Sequence, residues 1–184
     1  MKRIMPLMLL AAALLVVACG GKTLDTSNVE KDLVEVSSSG QGAEKTSAEC
    51  PSEVDGVEEG KTYECEITYA ENENNKQKVE MKIAANDESE FVNQKLVEDE
   101  IIIRQTVAQV DAKPELICEQ VSEEILEQLG GDECPQRAQE EADEKPAVIK
   151  SIDIKGDTAT MVTEDSTTTF ERAEGGGWVV TAVE

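Results

Sequence analysis

The sequence predicts an α+β protein of two small domains behind an N-terminal export segment. In each predicted domain, helix-type apolar spacing comes first and alternating apolar and polar residues, typical of half-buried strands, come afterwards. A polar stretch at 86–90 separates the two patterns. The predicted division is an export signal at 1–18, a tether at 19–26, a first domain at 27–87 and a second domain at 91–184. The first should be a helix packed on an antiparallel sheet, and the second three helices on a curved antiparallel sheet.

The first eighteen residues have the features of a secretory signal. Lys2 and Arg3 form a short positive region, and the run from 4 to 17 is apolar apart from Pro6. This run is shorter than the roughly 20 residues that a helix needs to cross a bilayer. It has the length of the apolar part of a signal peptide. No later apolar run is as long, so we expect no spanning segment elsewhere.

The residues Val16-Val17-Ala18-Cys19, which end this run, resemble the lipobox of bacterial lipoproteins. The resemblance implies that the Cys19 thiol receives a diacylglyceryl group and that a signal peptidase cleaves between Ala18 and Cys19. Each buried methylene of the acyl chains contributes about 0.8 kcal/mol, so two or three chains would hold the protein durably. The implied location is the extracytoplasmic face of the cell membrane. The alternative is an ordinary signal peptide in which the Cys has no role.

The charge balance is strongly acidic, with 17 basic and 40 acidic residues and a net charge of −23. Cleavage would also remove Lys2 and Arg3. Like charges repel, so nucleic acid and anionic lipid are poor partners, whereas cationic partners remain possible.

The sequence has no His, which excludes Ser-His-Asp and Cys-His catalysis and most zinc and copper sites. No stretch fits the calcium-loop pattern. We therefore expect no cofactor and no metal site.

Four cysteines remain beside Cys19, namely Cys50, Cys65, Cys118 and Cys134. Four cysteines permit three pairings, and the sequence alone does not choose between them. Local pairing is favoured because each couple falls inside its own predicted domain. A local pair would close a loop of about 15 residues and contribute about 3 kcal/mol in the chain-entropy model. A four-thiolate zinc site is the alternative, but the sequence has no C-x-x-C spacing and exported thiols usually oxidise.

The first domain is predicted to begin with a helix at 27–36, in which Ser27 and Glu30 form a capping box. Residues 63–69 and 79–83 then alternate between apolar and polar, as expected of a strand hairpin.

The chain between that helix and the hairpin carries Cys50-Pro51 and, further on, Gly60-Lys61-Thr62-Tyr63-Glu64-Cys65. This arrangement resembles a family of domains of unknown function in lipoproteins of high-GC Gram-positive bacteria, over residues 24–87. The resemblance implies a small α+β domain with a Cys50–Cys65 disulfide, and it implies no activity. The alternative is an unrelated small exported domain. In either case the helix should cover one face of a three- or four-stranded antiparallel sheet.

The second domain should contain three helices. The first is predicted at 91–110, the second begins at Ser122 as its N-cap, and the third begins at Asp132 with Cys134 in its first turn. Four strands follow, at 148–155, 158–164, 167–172 and 178–183, with a tight turn at Gly156-Asp157.

This order of elements is similar to the nuclear-transport-factor-2-like cone, over residues 90–184. The resemblance rests on three helices followed by four antiparallel strands, with Gly177-Trp178-Val179-Val180 at the last strand. Enzymes of this type place an Asp, Tyr or His in a pocket between sheet and helices. This chain has no His, and Tyr63 and Tyr69 lie in the other predicted domain. Asp111 is expected to be a surface residue at a helix end, and Trp178 is expected to pack in a core.

We therefore expect a non-enzymatic lipoprotein, held at the membrane through lipid on Cys19, that acts as a binding or scaffolding module with partners among cell-envelope proteins. No catalytic residue is predicted. One alternative is a cone that binds a small apolar molecule, or acts on it as a weak isomerase or cyclase. The other is a regulator of cell-envelope enzymes. A deep apolar pocket with an inward carboxylate would favour ligand binding, and a filled cone with an exposed apolar patch would favour the other readings.

Overall fold

The structure is a computed structural model that describes residues 23–38, 45–70, 72–85, 87–142 and 145–184. The predicted export signal and both residues of the predicted cleavage site, Ala18 and Cys19, lie outside the described residues. The fold is mixed α and β with antiparallel sheets, as predicted. No helix in the described part of the chain is long and apolar enough to cross a membrane.

The first part of the chain forms a four-stranded antiparallel sheet in the order β2-β4-β5-β6, and β1 pairs separately with β3. Its elements are β1 Thr23–Asp25, α1 Ser27–Ser37, β2 Ser47–Glu49, β3 Glu53–Asp55, β4 Thr62–Thr68, β5 Lys76–Ile83 and β6 Ser89–Phe91. Buried and exposed residues alternate along β4 and β5, because successive side chains of a strand point to opposite faces of the sheet. The buried set faces α1 and forms the first hydrophobic core.

Two predicted boundaries of this part need correction. Residues 23–25 were expected to belong to the tether at 19–26, but they form β1, where Leu24 lies opposite Val54. The sheet also continues past the predicted end of the domain at residue 87, since β6 pairs with β5 through Phe91 and Met81. In both cases a short strand is fixed by its partner and by one apolar side chain that packs against the first core.

The capping box predicted at the start of α1 is wrong. The N-cap is Thr26, whose side chain makes no capping hydrogen bond, and Asp25 Oδ1 accepts a hydrogen bond of 2.9 Å from the Ser27 N–H. Glu30 Oε1 instead accepts a hydrogen bond of 2.9 Å from the backbone N–H of Cys50, and Thr26 Oγ1 donates to the Pro51 carbonyl at 2.6 Å. The side chains at the helix start therefore attach α1 to the segment around Cys50.

The second part of the chain places one long helix and several short helical segments before a four-stranded antiparallel meander in the order β10-β9-β8-β7. Its elements are α2 Gln94–Ala112, a 3₁₀ helix Pro114–Glu119, α3 Glu123–Gln128, a 3₁₀ helix Gly131–Glu133, α4 Cys134–Glu140, β7 Ser151–Lys155, β8 Thr158–Val162, β9 Thr167–Arg172 and β10 Trp178–Val183. The Ser122 cap is confirmed, because its Oγ accepts from the Ile125 N–H. The Asp132 cap is wrong, since Asp132 lies inside the second 3₁₀ helix and Glu133 precedes α4.

The helix α2 contributes side chains to two hydrophobic cores. Val97, Ile101 and Ala108 pack in the first core with the first sheet. Ile103 and Val107 pack in a second core formed with β8, β9 and β10. The two sheets therefore share one helix.

Candidate functional site

A cavity of about 700 Å³ lies between α2 and the second sheet. This volume falls inside the range of about 300–1,000 Å³ that is usual for ligand pockets. Its apolar lining comes from α2, the 3₁₀ helix after it and three strands of the sheet: Val107, Val110, Ile117, Met161, Phe170 and Val180. The arrangement can accept an apolar molecule.

The spacing of residues along the chain explains why these side chains meet. Ile103, Val107 and Val110 follow one another at four and then three residues, which places them on one stripe of α2. On the sheet, Met161 lies opposite Thr168 and Val180 lies opposite Phe170. Residues directly opposite each other point to the same face, and this face turns towards α2. The inner face of the sheet and one stripe of the helix thus form the walls.

The mouth of the cavity is polar. Asp111, Lys145, Glu164, Asp165 and Ser166 line it. Asp111 is solvent-exposed, as predicted, but it also lines the cavity, which the sequence analysis did not anticipate. Asp111 follows Val107 by four residues, and this spacing already indicated that the two side chains lie on the same face of α2.

Two hydrogen-bond donors hold the Asp111 carboxyl group. The Ala147 N–H donates to Oδ1 at 3.4 Å, and Asn72 Nδ2 donates to Oδ2 at 3.5 Å. Surrounding protein partly desolvates the group and raises the pKa of Asp111 above its ordinary value, since desolvation disfavours the charged form. The cavity therefore has one carboxyl group with altered acidity at its mouth.

The segment that leads into β7 forms one wall of the cavity and is held by the first sheet. Asn72 Nδ2 donates to the Ala147 carbonyl at 3.3 Å, and the Ile149 N–H donates to the Asn74 carbonyl at 3.2 Å. Both Asn residues belong to the turn between β4 and β5. Sequence reasoning did not identify Asn72, because nothing local to it points to a partner so far along the chain.

Beside the cavity, Trp178 packs in the second core with 2% of its surface exposed, so the core role expected of it is confirmed. The Arg172 guanidinium lies 4.3 Å from the centre of the indole ring. Arg172 Nη2 also pairs with Asp99 Oδ2 of α2 at 2.6 Å, and its Nε pairs with Asp157 at 3.1 Å. These contacts connect α2 to the sheet at a distance from the cavity mouth.

The four remaining cysteines form the two local disulfides that the sequence analysis favoured. Cys50 and Cys65 are joined with an S–S distance of 2.05 Å. Cys118 and Cys134 are joined with an S–S distance of 2.00 Å, which links the first 3₁₀ helix to the start of α4. Within the residues that the structure describes, no three His, Cys, Asp or Glu side chains are grouped so as to hold a metal ion.

Comparison with known proteins gives a family match for the N-terminal part of the chain. Residues 9–88 match the family model described as Domain of unknown function (DUF4333). No curated protein and no solved structure matches the chain. The matched range includes α1, the Cys50–Cys65 disulfide and the hairpin of β4 and β5. The chain therefore carries an N-terminal domain of unknown function, followed by the part that contains the cavity.

Proposed function

We propose that this chain is a bacterial lipoprotein, tethered through lipid on Cys19 to the extracytoplasmic face of the membrane, whose C-terminal part binds a small apolar molecule. The observation that carries the proposal is the apolar cavity of about 700 Å³ with carboxyl groups, among them that of Asp111, at its mouth. The proposed fold of this part is a nuclear-transport-factor-2-like cone. Its support is the succession of helical segments before a four-stranded meander, with α2 against the inner face.

The cavity favours a ligand-binding function over a scaffolding function. A scaffolding cone would fill its interior and present a continuous apolar patch outside. Among the described residues, the large apolar side chains that are exposed are Val36, Leu96 and Val183, and Val183 itself lines the cavity. In the sheet of the second part, the exposed large apolar side chain is therefore one that lines the cavity.

The ligand proposed for the cavity has an apolar body and one polar or cationic end. The apolar body would contact Met161, Phe170 and Val107, where burial contributes about 25 cal/mol for each Å² removed from water. The other end would reach the mouth near Asp111. Because hydrogen bonds from the turn between β4 and β5 hold Ala147 in the cavity wall and Ile149 just after it, little ordering would be needed on binding.

A substitution that fills the cavity tests the ligand site. The chain from Gly20 onward, which keeps every described residue, would be titrated with N-phenyl-1-naphthylamine, a neutral apolar fluorophore. Val110→Trp should weaken binding by about tenfold or more, equivalent to about 1.4 kcal/mol, because the indole would occupy the cavity. Leu96→Trp is the matched control, since Leu96 belongs to the same helix and is 46% exposed outside the cavity. Equal affinities of the two variants would contradict the proposed site.

The anchor is tested separately in intact cells. Cys19→Ala removes the thiol that the lipid would modify, so the protein should leave the membrane fraction and lose the mass of the acyl groups. A Cys19→Ala protein that stays in the membrane fraction with an unchanged mass would overturn the anchor without affecting the cavity.

A further inference from the structure

One polar side chain lies on the apolar face that the second sheet turns towards the cavity. Thr168 of β9 is 8% exposed and lines the cavity. It lies two residues before Phe170 on the same face of the strand, and directly opposite Met161 of β8. The other buried residues of β8, β9 and β10 are all hydrophobic: Ala159, Met161, Phe170, Trp178 and Val180. A hydroxyl group therefore lies among the apolar walls.

The Thr168 hydroxyl has no hydrogen-bond partner among the residues that the structure describes. The other hydroxyl groups of the cavity lining are engaged. Thr106 Oγ1 donates to the Ile102 carbonyl at 3.0 Å within α2, and Thr163 Oγ1 and Ser166 Oγ lie 3.0 Å apart. A buried hydroxyl group without a partner is costly. Thr168 thus offers a hydrogen bond that a bound molecule could complete.

The position of Thr168 along β9 places it between the two ends of the cavity. Ser166 lines the mouth, and Thr168 and Phe170 follow it at intervals of two residues. A strand rises by about 3.3 Å per residue, so each interval spans about 7 Å. The Thr168 hydroxyl would therefore meet the apolar body of a bound molecule and not the end that reaches the mouth.

We infer that Thr168 selects, among apolar molecules, those that carry an oxygen acceptor such as a carbonyl group within the apolar body. The inference rests on the proposed function of the cavity. The Thr168 hydroxyl would donate its hydrogen bond to that oxygen. A hydrocarbon of the same shape would remove water from the hydroxyl without replacing the hydrogen bond, which lowers affinity. A site with a buried hydrogen-bonding group discriminates in this way against the analogue that lacks the matching group.

Strand propensity does not account for a hydroxyl group at this position. Thr is common in strands because a β-branched side chain fits the pleated surface. Val has the same branching and meets this requirement without a polar atom. The neighbours of Thr168 on its face of the sheet are Phe170 along the strand and Met161 and Val183 across it, all apolar. A hydrogen bond to a bound molecule gives the hydroxyl a role that these neighbours do not.

The inference is tested with two ligands of nearly equal shape, 2-acetylnaphthalene and 2-isopropenylnaphthalene, which differ by a carbonyl oxygen in place of a methylene group. Each would displace N-phenyl-1-naphthylamine from the chain from Gly20 onward, and the displacement that is lost in Val110→Trp reports on the cavity. Thr168→Val keeps the shape of the side chain and removes its hydroxyl. The ratio of the two affinities should therefore shift by about fivefold against the ketone, as expected for one hydrogen bond. An unchanged ratio in a protein that still binds the fluorophore would overturn the inference and leave the ligand site in place.

Two further variants separate the hydroxyl group from a general change of packing. Thr168→Ser keeps a hydroxyl at the same position and should keep the wild-type ratio of affinities. Thr106→Val removes a hydroxyl from the same cavity, but one that is already bonded to Ile102, so the ratio should also stay as in the wild type. A shift in Thr106→Val as large as in Thr168→Val would contradict the role of Thr168. If the wild type fails to bind N-phenyl-1-naphthylamine at all, the proposed function is wrong and the inference falls with it.

Discussion

Arg172 contacts both Trp178, in the second core, and Asp99, on the helix α2. Its guanidinium lies over the ring of Trp178 and pairs with Asp99, which belongs to α2. Only 9% of the Asp99 side chain and 18% of the Arg172 side chain are exposed. A carboxylate so poorly hydrated depends on its partner, since an unpaired buried charge is costly. Arg172 therefore helps to hold α2 against the sheet.

Arg172→Met should lower the free energy of unfolding by about 2–3 kcal/mol, between the values typical of exposed and of buried ion pairs. The Met side chain keeps part of the cover over Trp178, and Asp99 keeps its ion pair with the more exposed Lys95. Urea denaturation at neutral pH measures the change. Lys155→Met is the control. It removes the ion pair of Lys155 with Asp153, whose side chains are 80% and 60% exposed, and it should change the free energy of unfolding by less than about 0.5 kcal/mol.

The same pair predicts a dependence on pH. Partial burial alone would raise the pKa of Asp99, but hydrogen bonds from Arg172 and Lys95 outweigh it and lower the pKa below its ordinary value. A lowered folded-state pKa gives stability that is present above the unfolded value of about 3.9 and is lost as the pH falls through the folded value. The difference in stability between the wild type and Arg172→Met should therefore shrink below about pH 4. A difference that stays constant to lower pH would contradict this role of Asp99.

At the scale of elements, α2 combines apolar stripes with buried polar residues that have partners. Arg104 Nε donates to Glu100 at 2.8 Å, and Arg104 Nη1 donates at 3.1 Å to Asn75 Oδ1 in the turn between β4 and β5. Gln105 Nε2 donates to the Val36 carbonyl at the end of α1. Buried polar groups are tolerated when they are hydrogen-bonded in this way. The contact of α2 with the first sheet is thus partly polar and specific in its geometry.

The longer elements could be predicted from the sequence because periodicity identifies them. Alternation indicated β4, β5 and the four strands of the meander, and helical spacing indicated α1 and α2. The three-residue strands β1, β2, β3 and β6 were missed or left unassigned, since three residues are too few to show a period. Their positions depend on pairing with distant segments.

The caps and the cavity show a similar limit. Ser122 caps α3 through the backbone N–H of Ile125, a contact within one turn that the local sequence reveals. Glu30 has the correct spacing for a capping box, yet it bonds to the N–H of Cys50, 20 residues away. Asn72 holds Ala147 across 75 residues. Interactions within a turn were predictable, whereas those set by the tertiary fold were not.

Both sheets pack against α2, and this shared helix affects how the whole molecule unfolds. Ile101 packs in the first core with 2% of its surface exposed, and Ile103 packs in the second core with none exposed. The helix cannot unwind around one of these residues while keeping the other in place. The two sheets should therefore unfold in one cooperative transition, although each has its own core.

Ile101→Ala tests this coupling, because the protein contains a single Trp, Trp178, which lies in the other core. The truncation should cost about 2–5 kcal/mol, and the urea midpoint seen by Trp178 fluorescence should fall together with the midpoint seen by far-UV circular dichroism. Leu96→Ala is the control on the same helix, since Leu96 is 46% exposed and both midpoints should move little. If Ile101→Ala lowered the dichroism midpoint while the Trp178 midpoint stayed at its wild-type value, the two cores would unfold independently. In that case α2 would act as a linker between separate units. The hydrogen bonds of Asn72 and Asn74 with the cavity wall would then be lost when the first core unfolds.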